Sequence, residues 1–213
     1  NNTGYITITS DATDRAGNTI GTYVDGAIFQ TDNTLPVFPF TEPDSGTYVN
    51  HTLVGYQLSE SVKSGSITWT RLSGNVDANS PHVIPFDATE IVGGELFRDY
   101  PLINGPDSLV SETYYQVKFS ATDSSNNQSI DFIETPVYYD TTGSSVTVTF
   151  SQLFVSADSS VTITATFNER VLPTPTISLD FGGAFNDITD SSMTIADNDS
   201  SIWTLTIDSI PSG

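Results

Sequence analysis

A ten-residue pattern that returns after about 109 positions constrains this chain more than any other feature of it. Residues 5–14 read YITITSDATD and residues 114–123 read YYQVKFSATD, so Asp14 and Asp123 lie 109 positions apart. Each stretch runs on into an Asn-containing turn (Asn18; Asn126 and Asn127), a further strand and a short linker, where Asp32 and Asp140 stand 108 apart. A second pair follows the linkers. LVGYQLSE ends at Glu60 and TITATFNE at Glu169, again 109 apart, and the segments SITWTRL and TISLDF come next. Self-similarity at one fixed period is the mark of a structural unit used more than once.

The unit is made of strands. GYITIT (4–9), TYYQVKFSAT (113–122), VTVTF (146–150), VTITATF (161–167) and IWTLTI (202–207) are rich in Thr, Val, Ile and aromatics and alternate with period two. That is the pattern of strands with one face buried. Turn residues separate them at Ala16-Gly17-Asn18, Ser73-Gly74-Asn75, Val92-Gly93-Gly94, Ile103-Asn104-Gly105-Pro106 and Phe181-Gly182-Gly183. Asp87–Ile91 offers at most one helical turn. Short strands at regular spacing predict an all-β chain of sandwiches, and the period suits an Ig-like sandwich. The registers place one complete Ig-like repeat at residues 32–140. Residues 1–31 hold the last two strands of a preceding repeat, and 141–213 the first strands of a following one without its final hairpin. The two incomplete ends are complementary.

Charge excludes several partners. There are 26 Asp and Glu against 6 Lys and Arg, a net charge of -20. Such a field repels nucleic acid and anionic membranes and attracts cations. Cys is absent, which removes disulfides, thiolate metal sites and thiol nucleophiles together. With two His and one Met, zinc, copper and haem are poor expectations. No apolar run approaches the length of a membrane-spanning helix. The start, Asn1-Asn2-Thr3, carries no signal-peptide pattern and no Met, which fits a processed protein or a window from a longer one.

The phrases ATDRAGN (12–18) and ATDSSNN (121–127), the linkers DNTLPVF and YDTTGSSV, and YQLSESVKSGSITWTRL resemble the bacterial Ig-like tandem repeats of large extracellular adhesins and surface stalks. The resemblance spans nearly the whole chain. It departs at Gly143, where such linkers often carry Pro. It implies an extracellular or cell-surface location, no catalysis, and calcium at the domain junctions.

In a sandwich of this kind the loop after the second strand, the loop between the last two strands and the incoming linker share one pole. Glu60, Asp123 and Asp32 are therefore expected to converge. Carboxylates that meet without Lys or Arg need a counter-cation, and Ca²⁺ takes six to eight oxygens at about 2.3–2.6 Å. Asn127 or a nearby carbonyl is placed to complete the shell. The next junction offers Asp140 and Glu169, and its third ligand would be an equivalent of Asp14. Asp107 is a further candidate. The competing reading, solvated turn residues, stays open for each of these acids.

Other residues carry less. Asp197-Asn198-Asp199 has the D-x-D spacing of calcium loops but lacks the later Gly and Glu, and reads as a hairpin turn. Trp69 and Trp203 alternate with apolar residues and are expected in cores. His51 and His82 read as exposed turn residues, and Glu42 with Asp44 as a solvated acid pair. No Ser/His/Asp signature and no carboxylate pair across a cleft points to an enzyme. The expected partners are neighbouring copies of the repeat, joined covalently or by strand exchange, and an extracellular glycan or surface target. One alternative is a filament subunit joined head to tail by donated hairpins. Another is a carbohydrate-binding module using a flat strip of Tyr48, Tyr100, Tyr138 and Tyr139.

Overall fold

The computed structural model describes residues 2–8, 13–19, 23–106, 108–152, 156, 159–181 and 187–208. The chain is all-β, with no helix among these residues, and divides into two compact units, Asn1–Thr141 and Thr142–Gly213. Asp87–Ile91, the one helical candidate, is a turn closed by Glu90 N–H donating to Asp87 O at 2.9 Å.

Unit 1 opens with a hairpin, β1 (Asn2–Ile8) against β2 (Tyr23–Thr31), that forms a two-stranded sheet of its own. A three-stranded sheet follows, ordered β3 (Phe40–Glu42), β5 (Val54–Gln57), β8 (Leu96–Tyr100). A five-stranded sheet runs β4 (Tyr48–Val49), β10 (Phe132–Tyr139), β9 (Thr113–Thr122), β6 (Ser64–Gly74), β7 (His82–Pro85). All of its pairs are antiparallel except β4 with β10, where Tyr48 and Val49 lie parallel to Tyr138 and Tyr139. Alternation decides which face is buried. In β9, Thr113, Tyr115, Val117, Phe119 and Ala121 point inward while the residues between them are partly open. They join Ile67 and Trp69 of β6, Val54 and Tyr56 of β5 and Phe97 of β8 in one core fed by both sheets. Trp69 is fully buried, as its alternation with Ile67 predicts.

Four carboxylates lie inside this unit, Glu90, Glu134, Asp77 and Asp123 (the last described below), and each is held by donors, since an unpaired buried charge is costly. Glu90 accepts from the Asp87 and Ile103 amides, both at 2.7 Å, and Tyr56 donates its hydroxyl to the Glu90 carbonyl at 2.8 Å. Glu134 accepts from Thr41 Oγ1 at 3.0 Å and from the Ser45 amide at 2.8 Å, tying the first strands to β10. Asp77 accepts from the Tyr115 hydroxyl at 2.7 Å and pairs with His82 Nε2 at 2.7 Å. His82 is thus a partly buried strand residue and not the exposed turn residue the sequence suggested. His51 is exposed as expected.

Unit 2 has a four-stranded sheet ordered β11 (Val146–Phe150), β12 (Val161–Phe167), β16 (Ile202–Ile207), β15 (Thr194–Ile195). Beside it β13 (Thr176–Leu179) pairs with β14 (Ile188–Ser192). Ladders of unit 1 have counterparts here, with offsets that differ by a residue from one ladder to the next. Phe40 opposite Gln57 returns 108 positions on as Val148 opposite Ala165. Val54 opposite Tyr100 returns 107 positions on as Val161 opposite Ile207. The β6–β7 pair has its counterpart in β13–β14. The described core cluster of this unit is small: Ala165, Met193 and Trp203, with Phe167, Val171, Ile177 and Leu205 packed on it. Asp197-Asn198-Asp199 forms the turn between β15 and β16, closed by Ala196 N–H to Ile202 O at 2.8 Å.

Candidate cation site at the linker pole

Asp123 sits where β9 ends, and its side chain builds the turn that follows. Its Oδ1 accepts from the amides of Ser125 (2.8 Å) and Asn127 (2.7 Å), and its Oδ2 from Asn127 Nδ2 (2.8 Å). Asn126 takes the left-handed conformation at φ 68°. The turn after β1 is the same object 109 residues earlier. Asp14 Oδ1 accepts from Ala16 (2.8 Å) and Asn18 (2.9 Å), Asn18 Nδ2 reaches Asp14 Oδ2 (2.8 Å), and Gly17 stands at φ 87° in the place of Asn126. The shared D-x-x-x-N spelling is therefore a hydrogen-bonding requirement: the side chain must meet amides two and four residues on.

Asn127 does a second job. Its Nδ2 also donates to the Asp32 carbonyl at 2.9 Å, fastening the linker to the β9–β10 turn. The linker is held again further on, where Val37 N–H meets Ser59 Oγ and Ser59 N–H meets Val37 O, each at 3.0 Å. Glu60 follows directly. Its turn is braced from below by Gly93, whose amide donates to Ser61 Oγ at 3.0 Å, and by Gly94, whose amide donates to Leu58 O at 2.7 Å. A Cβ on Gly93 would stand 2.3 Å from the Glu60 carbonyl carbon and the Ser61 nitrogen, so only glycine permits this approach.

These constraints bring Asp32, Glu60 and Asp123 together, with one carboxylate oxygen from each within 4.8 Å of the others. Asp123 is buried, while Asp32 and Glu60 are partly so. Among the described residues no other group of three or more His, Asp or Glu side chains converges in this way. Burial, then the charges of Asp32 and Asp123, push the Glu60 carboxyl above its ordinary range. Burial pushes Asp123 the same way, but the hydrogen bonds from Asn127, Ser125 and Asn126 outweigh it and hold that carboxyl low. Lys63 stands nearby, yet its ammonium reaches Asn126 Oδ1 at 3.2 Å and forms no ion pair with the three acids among the described residues.

The donor set is oxygen alone, which suits a hard cation and not zinc or copper. Two oxygens that share one ion at about 2.3–2.6 Å are at most about 5 Å apart, so the observed spacing fits an ion between them. Three carboxylates leave the rest of a Ca²⁺ shell to carbonyls and water.

The remaining sequence candidates lie elsewhere. Asp14 is exposed, and the hydrogen bonds from Asn18 hold its carboxyl low. Asp140 accepts from Ser111 Oγ at 2.9 Å and belongs to unit 1, whereas Glu169 belongs to unit 2. Asp107 lies outside the described residues. Glu42 is not simply solvated: Arg98 Nη1 meets it at 3.1 Å while the guanidinium covers the Phe40 ring at 4.2 Å. Of the four tyrosines expected in a flat strip, Tyr48 is 75% exposed and meets Tyr138 edge-on, with ring planes 72° apart. Tyr100 packs on Phe97 and Tyr139 on Tyr115, at the margin of the core. These rings make no common plane.

Asp77 is a residue the sequence did not single out. It lies in a loop without periodic pattern, and its partners His82 and Tyr115 are 5 and 38 positions away. Gly93 was legible only as a turn, although Gly-Gly after an apolar pair is also what a close backbone approach requires. Comparison with protein-family models and with characterised proteins finds no match for this chain.

Proposed function

We propose that this chain is a non-catalytic structural segment of an extracellular bacterial stalk or filament, built of Ig-like repeats and stiffened by Ca²⁺ where one repeat joins the next. The convergence of Asp32, Glu60 and Asp123 at the incoming linker carries this reading. One acid comes from the linker and two from loops at the end of the sandwich it enters. An ion bound there ties the linker's direction to the body of the domain, and removing it leaves three like charges in contact. Extracellular calcium modules bind at roughly 10⁻⁴–10⁻³ M. At a hundredfold excess over its dissociation constant one such site adds about 2.7 kcal/mol, a large part of a domain's usual 5–15 kcal/mol or so. The net charge of -20 keeps such segments apart side by side and in solution.

The test is a calcium titration of thermal unfolding, begun from chelated protein and followed by Trp fluorescence. Millimolar calcium is expected to raise the unit 1 midpoint by several degrees, with magnesium much weaker and Glu60→Gln abolishing the response. A midpoint indifferent to calcium would return the three acids to solvated turn residues.

A further inference from the structure

We propose that a hollow on unit 1, bounded by β3, β4 and β8, binds a glycan residue that carries a free amine. The strands beneath it explain how its side chains are placed. β3, β5 and β8 lie side by side, with Glu42 opposite Gly55. The next ladder slips. Tyr56 faces Phe97 and Val54 faces Tyr100, so Arg98 and Asp99 together stand against Gly55. Such a bulge re-aims the side chains of the strand that carries it. Asp99 absorbs the bend in the left-handed region at φ 46°, which Asp tolerates better than most residues but not without strain. Gly55 leaves room for its neighbours, since a Cβ there would stand 2.5 Å from Glu42 Oε2 and 2.9 Å from the Phe40 ring. Glu42 and Phe40 in turn fix the guanidinium of Arg98.

The hollow measures about 330 Å³, a size that small ligands fill. Tyr48, Glu42, Asp44, His51, Arg98 and Asp99 line it. Tyr48 is open to solvent and yet braced. Tyr138 meets it edge-on with ring centroids 5.2 Å apart, and Tyr114 packs on Tyr138 at 4.6 Å. A ring held in place with most of its surface free is a platform for the apolar face of a sugar or for a cation.

Charge narrows the ligand. Arg98 offsets Glu42, whereas Asp44 and Asp99 form no ion pair among the described residues. Two uncompensated acids in a chain of charge -20 repel uronates and other acidic sugars and favour a cation. A bare ammonium leaves the rest of the hollow unused, because it only donates, and Arg98 needs acceptors. Sugar hydroxyls do both. A hexosamine with an unacylated amine therefore meets every group: its ring Tyr48, its ammonium Asp44 and Asp99, its hydroxyls Arg98, Glu42 and His51. The hollow shares no residue with the Asp32, Glu60 and Asp123 site, and the inference does not depend on the cation.

Isothermal titration with a glucosamine tetramer at low salt tests it, in chelator so that no metal ion takes part. The fully N-acetylated tetramer and tetralysine are the comparisons, and both are expected to bind far more weakly. Tyr48→Ala should weaken the glucosamine tetramer roughly tenfold, within the range of one ring–cation contact. Asp99→Gly separates binding from folding. Glycine takes a positive φ without strain, so this variant should melt no lower than the wild type while losing affinity. No binding of the glucosamine tetramer overturns the proposal. So does equal binding of the acetylated tetramer or of tetralysine, or an affinity that neither substitution lowers.

Discussion

Glu60 is held above its ordinary value of 4.5 by burial and by the charges of Asp32 and Asp123, so its ionised form works against the fold. The sign follows from linkage: a group whose folded pKa is raised contributes stability that is complete below the unfolded value and is lost as pH rises through the folded one. Chelated protein is therefore expected to gain stability as pH falls from 7 toward about 4.5. Below that it loses stability, because Asp14, Asp77, Asp123 and Asp197 are all held low by hydrogen bonds and give up that stabilisation as they protonate. Glu60→Gln should remove the rising limb and leave the falling one, a difference that denaturant melts across pH would show. The same residue makes cation affinity fall as pH drops through its folded pKa. Deeper in the unit, burial and the bond to Asp77 push the Tyr115 phenol up to about 12, so it stays a donor at any working pH. Tyr115→Phe strands the Val110 amide and leaves Asp77 Oδ2 with His82 alone. A loss of about 1–3 kcal/mol in equilibrium unfolding is expected. Of these residues the sequence announced the ones whose partners are near. Asp14 and Asp123 could be read because their acceptors serve amides within four positions. Asp77 could not, because its partner Tyr115 arrives from another strand.

At the scale of elements, legibility follows periodicity. The strands β9, β11, β12 and β16 begin and end where the alternation of the sequence does, and β9 and β12 show why, with one buried and one more open face along most of their length. The loop at Ile91–Gly94 has no period, and its role comes from what it touches. Val62 N–H bonds to Ile91 O at 3.0 Å, and Gly93 lies against the Glu60 turn. Gly93→Ala drives a methyl into that backbone, so it should cost more than the usual small penalty of such a change and weaken calcium binding, although it alters no ligand. Isothermal titration beside an unfolding curve would separate the two effects. Asn127→Ala should act on the linker. It removes the bonds to Asp32 O and Asp123 Oδ2, worth about 1 kcal/mol each. Hydrogen exchange is expected to quicken at the amide of Thr34, which donates to Asp32 Oδ1 at 3.0 Å. Unchanged exchange there would mean that the linker is held by Ser59 alone.

At the scale of the whole molecule, the two tryptophans give each unit its own reporter. Trp69 is buried in the large core of unit 1 and Trp203 in the small cluster of unit 2. Trp69→Phe and Trp203→Phe variants should each leave a single melting signal, with the Trp203 signal melting first because so little apolar surface is closed over it. The indole N–H of Trp69 has no acceptor among the described residues, which makes its replacement by Phe the milder change. A shared midpoint for both signals would contradict this order. The period of about 109 residues is legible in the sequence because it returns in strands, turns and linkers alike. It did not reveal how unevenly burial is divided, since that depends on which strands are present to cover which. The parallel pairing of β4 with β10 has a mechanical consequence. Tension applied through the linker before β3 and the segment after β10 draws these two strands past each other lengthwise. The bonds from Tyr138 N–H to Thr47 O and from Asp140 N–H to Val49 O, each 2.9 Å, are then strained together and not peeled one at a time. Pulled from its ends, the domain should resist as a latch and yield abruptly.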